Sequence, residues 1–210
     1  MTQSLVLRDS VKDYLLGQIQ KGELPIGKTI NLAKLSREIG VSVTPIREAL
    51  SQLEHARVIK AVPKRGFLVT RLSKEEARDL YEMTAQLEMM ALEASSFSKM
   101  DLNTLRTHHK KMEIAGNSKD AISHRFEFHG LLVQNCKNKV LLQILEDLKM
   151  RLLFYERGLG EDSSFHSLLN NQNEAIVQAL EEDNLPAAAL ILKMSWMAVL
   201  EYVESRLDRK

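Results

Sequence analysis

A short turn between two helical patterns carries the residues with the clearest chemistry near the N-terminus. Asn31 is placed to cap the first of these helices, and Gly40 permits the tight turn that ends it. Thr44 is placed to cap the second helix, with Pro45 in the favoured first helical position. The apolar positions of the second helix are Ile46, Ala49, Leu50 and Leu53. This spacing predicts a helix-turn-helix, in which a short helix braces a second helix that enters the major groove of DNA.

The opposite face of the second helix is predicted to point into solvent. Arg47 on this face can contact guanine with two hydrogen bonds or hold a phosphate. Hydroxyl side chains and the free amides of a helix N-terminus suit phosphate oxygens. The predicted DNA-contacting residues of this motif are Lys34, Ser42, Thr44, Pro45, Arg47, Glu48 and Ser51.

The hydrophobic pattern changes from helical to β-type after the second helix. Residues 58–69 contain two short β-type runs around a turn, which predicts a hairpin. Lys64 and Arg65 lie at the hairpin tip beside Gly66, where the backbone can approach DNA closely. A hairpin that follows three helices is the plan of a winged helix-turn-helix, so these three residues join the predicted DNA contacts.

Charge is distributed unevenly along the 210 residues. Residues 1–72 hold 12 Lys and Arg against 6 Asp and Glu, a net charge of +6, whereas the remaining residues have a net charge of −5. This asymmetry predicts a polyanion partner for the N-terminal part alone.

A lone Cys136 excludes an internal disulfide framework and favours a structural thiol over a catalytic one. The sequence shows neither a long apolar span nor a signal-peptide pattern, so a cytoplasmic protein is expected.

Two domains are predicted from the order of the elements. Asp9 or Ser10 is expected to cap the first helix, with Gly22 at its end, and Ser73 opens a capping box that begins a new domain. Beyond Ser73 the periodicity is helical throughout, with helices predicted at residues 74–98, 102–115, 119–136, 139–158, 162–182 and 185–207. The expected fold is therefore mainly α, with a winged helix-turn-helix over residues 1–72 and an all-helical bundle over residues 73–210.

Three apolar stripes of the helical domain each carry polar residues near the middle. Arg125 and His129 lie on or beside the first stripe, Asn173 on the second and Ser195 on the third. Buried polar groups need partners, and several that converge in one bundle can line a pocket. One hypothesis is that Arg125 and His129 receive an anionic small molecule, such as a carboxylate, with hydrogen bonds from Asn173 and Ser195. The alternative is a satisfied polar core in which Glu88 or Asp147 pairs with the arginine.

Residues 5–70 resemble the GntR family of bacterial regulators. The resemblance lies in Gly22, Leu24 and Pro25, in the run Gly40-Val41-Ser42, in the run from Thr44 to Leu50, and in Pro63, Arg65 and Gly66. Val43 occupies the place of the usual arginine, and Ala56-Arg57 replaces the common Glu-Gly pair. The resemblance implies a DNA-binding transcription regulator, and the substitution at Val43 implies an operator that differs from those of typical relatives.

The helical domain is similar to the FCD domain of the FadR-type branch of this family. The shared landmarks are Tyr81, Gln86-Leu87-Glu88, Phe128-His129 and Asn138. Many FCD domains hold a divalent metal with an Asp-x-x-x-His pair and two later histidines, and the matching positions are Arg125, His129, Asn173 and Ser195, with Met194 as a rival for the last. Of these only His129 is a good metal ligand, and a cation in place of the carboxylate repels a metal ion. The resemblance therefore implies the fold without its usual metal, and no cofactor is expected.

The preferred function is a transcription regulator that binds a palindromic operator as a homodimer and responds to an organic acid in the helical domain. An enzyme is not expected, because the sequence contains no nucleophile–base pair, phosphate loop or nucleotide-binding motif. Two alternatives remain. One is a helical-bundle metalloprotein that uses His108, His109, His124, His129 and His166, although the usual Glu-x-x-His spacing is lacking. The other is a DNA-binding protein that works without an effector.

Overall fold

The computed structural model describes residues 2–20, 23–24, 27–70, 73–115, 121–157 and 162–207. The chain divides into two compact units, Met1–Leu72 and Ser73–Lys210. Each unit is described by itself below.

The first helix of the N-terminal unit is longer than the sequence pattern indicates. Helix α1 spans Thr2–Gln20, so the prediction that Asp9 or Ser10 caps its start is wrong. The Asp9 carboxylate instead pairs along the helix with Arg8 at 3.3 Å and Lys12 at 3.4 Å. Gly22, which was expected to end this helix, lies outside the described residues.

Helices α2 (Leu32–Ile39) and α3 (Val43–His55) form the predicted helix-turn-helix. The Asn31 side chain accepts a hydrogen bond from the Lys34 amide at 2.9 Å, which confirms its capping position. Gly40 adopts φ 73°, a left-handed conformation that suits glycine, and ends α2. The cap of α3 is Ser42, so the prediction of Thr44 as the cap and Pro45 as the first helical residue is wrong by two positions.

A three-stranded antiparallel sheet follows, in the order β1-β3-β2. Its strands are β1 (Thr29–Ile30), β2 (Ile59–Val62) and β3 (Gly66–Val69). The predicted hairpin is thus present, and Val62 pairs with Gly66 next to its tip. At the tip, the Arg65 amide donates to the Val62 carbonyl at 3.0 Å, and Lys64 adopts φ 63°. With Pro63 at the preceding position, this is the geometry of a type II turn.

The core of the N-terminal unit lies between α1, α3 and the sheet. Leu15 of α1, Ile46 and Leu50 of α3, and Val58 beside β2 are fully buried. Helix α3 packs its apolar face inward, and the polar residues on its other face are exposed.

Six helices form the described part of the second unit, as the periodicity predicts. They are α4 (Lys74–Glu93), α5 (Lys99–Ala115), α6 (Ala121–Val133), α7 (Lys139–Arg157), α8 (Ser163–Glu181) and α9 (Leu185–Leu207). The Ser73 hydroxyl accepts from the Glu76 amide at 3.1 Å, which confirms the predicted start of α4. Helix α4 ends five residues and α6 three residues earlier than predicted.

Helix α9 is packed along α4 and α8, and α5 contacts both α6 and α8. Among the described residues, α9 is the one helix whose length and composition would also suit a membrane span, a property that core helices share. Its buried positions include Leu192, Trp196 and Val199. Cys136 is also buried, where a thiol packs as a small apolar side chain.

Candidate DNA interface and buried ion network

The outward face of α3 carries most of the predicted DNA contacts. The side chains of Ile46, Ala49, Leu50 and Leu53 are fully buried. The exposed residues at the start of α3 and on its other side are Ser42, Thr44, Arg47, Glu48 and Ser51. The structure therefore presents one polar face of α3, beginning at its N-terminus, to solvent.

Pro45 does not belong to this face. It is buried together with Ile46, so its inclusion among the DNA contacts is corrected here. As the third residue of α3, Pro45 lies on the side that packs against the interior, and its ring fills core volume.

The N-terminus of α3 has free hydrogen-bond donors. Ser42 caps α3 by position, but its side chain makes no capping hydrogen bond. The first-turn amides of a helix have no partner within the helix, and an exposed hydroxyl beside them completes a site for a phosphate oxygen. This arrangement supports phosphate contact at Ser42 and Thr44.

The hairpin tip supplies further exposed cations. Lys64, Arg65 and Gly66 are all exposed. Among the described residues, neither Lys64, Arg65 nor Arg47 makes a side-chain hydrogen bond or ion pair. Lys34 is also exposed, but it pairs with Glu38 at 3.6 Å. The exposed side chains of Arg47, Lys64 and Arg65 are therefore available to an external polyanion at little desolvation cost.

In the helical unit, by contrast, some charged side chains are buried and paired with each other, and they form a buried ion network. We use this name for six residues of four helices, namely Tyr81, Glu88, Arg125, His129, Glu156 and Trp196. Arg125 forms an ion pair with Glu156, and both side chains are about 95% buried. The Tyr81 hydroxyl donates to the other carboxylate oxygen of Glu156 at 3.2 Å.

His129 links Arg125 to a second carboxylate. Its Nδ1 lies 2.7 Å from Glu88 Oε2, and its Nε2 lies 3.5 Å from Arg125 Nη1. The indole nitrogen of Trp196 also donates to Glu88 Oε2 at 2.6 Å. The Arg125 guanidinium lies 4.9 Å from the centroid of the Trp196 ring, within cation–π range. Hydrogen bonds and ion pairs among buried groups thus connect all six residues of the network.

Burial controls the acidity of Tyr81 in this network. Removal from water raises the pKa of the Tyr81 phenol well above its usual value of 10.0, and the neighbouring Glu156 carboxylate adds to the rise. Tyr81 therefore remains a neutral hydrogen-bond donor to Glu156 over the physiological pH range.

Two of the four residues predicted to form an effector site are in contact, since His129 Nε2 lies 3.5 Å from Arg125 Nη1. All four are buried as expected, since Arg125, His129, Asn173 and Ser195 are at most 4% exposed. A cavity of about 30 Å³ is lined by Arg125, and its other lining residues are Met112, Ala121, Ile122, Glu156, Phe165, His166, Leu169, Asn170 and Tyr202. His129, Asn173 and Ser195 do not line this cavity. The polar atoms of the Asn173 and Ser195 side chains make no hydrogen bond with the described residues.

The partner of Arg125 was missed by the sequence reasoning. Asp147 is exposed, where Gln143 hydrogen-bonds to it at 3.0 Å, and Glu88 pairs with His129 instead. Glu156 lies four residues after buried Leu152 and eleven after buried Leu145. A carboxylate at these intervals continues the apolar stripe of α7, and this was the signal that could have identified it.

The family's metal position does not fit a metal ion in this chain. Arg125 stands where the family has a carboxylate, and it is already paired with Glu156. His129 is the one strong ligand of the four, and its two nitrogens face Glu88 and Arg125. A guanidinium at this distance from the imidazole disfavours a second cation.

The fold and these two sites define a class of protein, namely one that joins a winged helix-turn-helix to a separate all-helical domain. Residues 7–69 match the family described as bacterial regulatory proteins, gntR family, and residues 79–195 match the FCD domain. The chain belongs to the GntR family of bacterial regulatory proteins, in the branch that carries an FCD domain.

Similar proteins are also transcriptional regulators and not enzymes. The chain is 32% identical over 141 residues to the HTH-type transcriptional regulator YdhC of Bacillus subtilis strain 168, which covers 64% of this chain and 62% of that protein. It is 25% identical over 147 residues to McbR of Escherichia coli K12, and this match covers 68% of this chain and 66% of that protein. The structure of McbR from E. coli superposes with a TM-score of 0.75 at 20% identity, over 95% of this chain and 98% of that one. The matched segments thus span just under two thirds of these two curated relatives.

Proposed function

We propose that this protein is a cytoplasmic transcription regulator that binds an operator through α3 and the hairpin tip of residues 1–72. The observation that carries the proposal is that Arg47, Lys64 and Arg65 are exposed and have no ionic partner among the described residues. On a helix-turn-helix with a wing, these cations and the free amides of α3 match the requirements for phosphate and base-edge contacts.

The experiment that tests DNA binding is selection from random duplexes with the full-length protein, repeated at several salt concentrations. A regulator enriches one sequence, and its affinity falls with rising salt because phosphate contacts release counterions. Failure to retain any duplex at moderate ionic strength contradicts the proposal. Enrichment of a direct repeat instead of an inverted one contradicts the palindromic operator that a two-fold dimer requires.

A second copy of the chain is the proposed partner of the helical unit. Helices α4 and α9 expose four large apolar side chains, namely Met83, Met90, Leu190 and Met194. A groove between these helices is also lined by Asp79, Glu82 and Lys193, so the surface carries both signs of charge. Apolar area mixed with opposite charges can be complementary to itself across a two-fold axis.

Replacement of Met83 and Met194 by lysine tests the dimer. Charges at these positions are expected to shift the protein to monomer in sedimentation experiments, because buried lysines would face each other. Met100 of α5 is 78% exposed, so Met100→Lys is the matched control and should leave the assembly unchanged. A dimer that survives the double substitution places the interface elsewhere.

An organic acid is the proposed effector, and its site is the cavity beside Arg125. The guanidinium lines this cavity together with apolar side chains such as Ile122, Phe165 and Leu169, a combination that suits a small carboxylate with an apolar body. The cavity of about 30 Å³ is far smaller than the roughly 300 Å³ that a ligand site needs. Effector binding must therefore widen it and compete with Glu156 for Arg125, and this change is the proposed origin of regulation.

The second candidate function is DNA binding that needs no effector, because Arg125 is already paired with the buried carboxylate of Glu156. Thermal unfolding in the presence of a panel of carboxylates separates the two candidates. A rise in melting temperature with one member supports the effector site. No rise with any member, in a protein that still binds its operator, favours the effector-independent alternative.

A further inference from the structure

A second cluster of polar side chains lies away from the buried ion network, where α5 and α6 contact each other. His108 belongs to α5, and His124 and Glu127 lie one turn apart on α6. One ligand atom from each of the three lies within 4.8 Å of the other two, and this is a set of metal-binding side chains among the described residues. We propose that His108, His124 and Glu127 form a binding site for a zinc-type divalent transition metal ion.

The distances are close to those of a tetrahedral site. His124 Nδ1 lies 3.5 Å from Glu127 Oε2, and His108 Nε2 lies 3.8 Å from the same oxygen. Bonds of about 2.0–2.1 Å to zinc place neighbouring ligand atoms about 3.4 Å apart. A small movement of Glu127, whose side chain is 60% exposed, brings its oxygen to this separation from each histidine nitrogen. The two histidine nitrogens lie within 4.8 Å of each other.

The ring nitrogens of the two histidines can act as metal ligands. His124 Nδ1 is buried, makes no hydrogen bond with the described residues and lies 3.5 Å from Glu127 Oε2, so this nitrogen can serve as a ligand. His108 Nε2 lies 2.9 Å from the His124 carbonyl oxygen, to which it donates. Metal binding exchanges this hydrogen bond for a metal–nitrogen bond, with the ring proton moved to Nδ1 of His108. Because Nε2 points at this carbonyl oxygen, the His108 side chain must rotate before Nε2 can face the metal ion.

The choice of metal follows from the ligand types. Two imidazoles and one carboxylate are the three protein ligands of open zinc sites, which leave a fourth position for water. Magnesium and calcium prefer sites made of oxygen alone, so they are expected to bind poorly. Arg125 directly follows His124 in the chain, but its guanidinium is held by Glu156 within the network.

The site would connect two helices that line the cavity. Met112 lies one turn after His108 on α5, and Ile122 lies two residues before His124 on α6, and both contribute to the cavity wall. A metal ion bound by both helices fixes their spacing at this point. This function is separate from the family's metal position at His129, and it does not depend on DNA binding.

Zinc titration of the untagged, chelator-treated, full-length protein tests the site. Equilibrium dialysis with elemental analysis is expected to find one zinc ion per chain, and Glu127→Gln and His124→Gln are each expected to weaken binding by at least about tenfold. Exposed His55, which lies in the other unit, supplies the matched control His55→Gln, whose zinc affinity should equal that of the unaltered protein.

Two further readouts separate metal binding from a general loss of structure. Cobalt in place of zinc should give the visible absorption of a tetrahedral ion, and His124→Gln should abolish it while circular dichroism stays unchanged. Zinc should raise the melting temperature of the unaltered protein but not of Glu127→Gln. Zinc bound with unchanged affinity by both variants, or no zinc retained by the unaltered protein, overturns the proposal.

Discussion

The two units of this chain place their charges under opposite physical conditions. In the N-terminal unit, Arg47, Lys64 and Arg65 are exposed, and no other residue that the structure describes pairs with them. In the helical unit, Arg125 and Glu156 are buried and paired. An exposed cation costs the fold little and remains available to an external polyanion, whereas a buried pair is costly to break. Under the proposed function, the first surface binds DNA as it stands, and the second must rearrange before an effector can bind.

The largest expected effect comes from breaking the buried pair. Glu156→Gln leaves the Arg125 charge uncompensated and should lower the free energy of unfolding by about 3–5 kcal/mol, measured by denaturant titration. Asp147→Asn removes an exposed carboxylate of the same helix and serves as the control, with little expected change. An organic acid that binds Arg125 should restore more stability to the Glu156→Gln variant than to the unaltered protein. Equal stability of the two variants would mean that the pair contributes nothing.

A smaller effect is expected at the exposed surface, and on binding instead of stability. Arg47→Ala should weaken specific DNA binding by about 1–3 kcal/mol and relax selectivity at one base pair, while the free energy of unfolding stays nearly constant. Lys137→Ala removes an exposed charge of the helical unit and is the control. If Arg47→Ala lowers the free energy of unfolding by as much as it lowers the free energy of DNA binding, the contrast between an exposed binding surface and a buried stabilising pair is wrong.

The hairpin tip offers a sharper version of the same test. Lys64 adopts φ 63°, a conformation that is strained for any residue other than glycine, asparagine or aspartate. Lys64→Gly should raise the free energy of unfolding by up to about 1 kcal/mol. The same change should reduce the slope of log affinity against log salt by about 1. A variant with unchanged salt dependence would show that Lys64 does not contact phosphate.

The smallest effect concerns a charge at the surface of the helical unit. Hydrogen bonds from the Ser164 hydroxyl and the Phe165 amide lower the pKa of Asp162 to about 2, from an ordinary value of 3.8. Because the folded-state pKa is lowered, the stability from Asp162 is present above pH about 4 and is lost as the pH falls toward 2. Asp162→Asn keeps the cap of α8 without titrating, so its melting temperature should fall less over this interval. Glu113→Gln, at an exposed position, should follow the unaltered protein.

The helix-turn-helix could be predicted because its determinants are local. Asn31, Gly40 and the stripe from Ile46 to Leu53 each act within a few residues. Strand β1 was missed because it has two residues and depends on pairing with β3, which lies 37 residues later. The cap of α3 was misplaced because Ser42 and Thr44 are both suitable, and only the backbone conformation decides between them.

The buried site was predictable in kind but not in its connections. Periodicity identified Arg125 and His129 as inward polar residues, and both are buried. It could not identify Glu156 as the partner, because that contact depends on how α6 and α7 pack. His109 precedes two lysines in the sequence, but it is 2% exposed and its Nε2 lies 3.0 Å from the Asn170 carbonyl. A polar neighbourhood in the sequence therefore does not determine which side of a helix is covered.

The tryptophan of the network gives the protein an intrinsic optical reporter. The chain contains one tryptophan, and its indole donates to Glu88 while its ring faces Arg125. Fluorescence excited through this indole therefore originates from a single place in the molecule, next to the ion pair that the proposed effector would open. Emission from the unlabelled protein can follow the arrival of a small molecule in real time, in the presence or absence of an operator duplex.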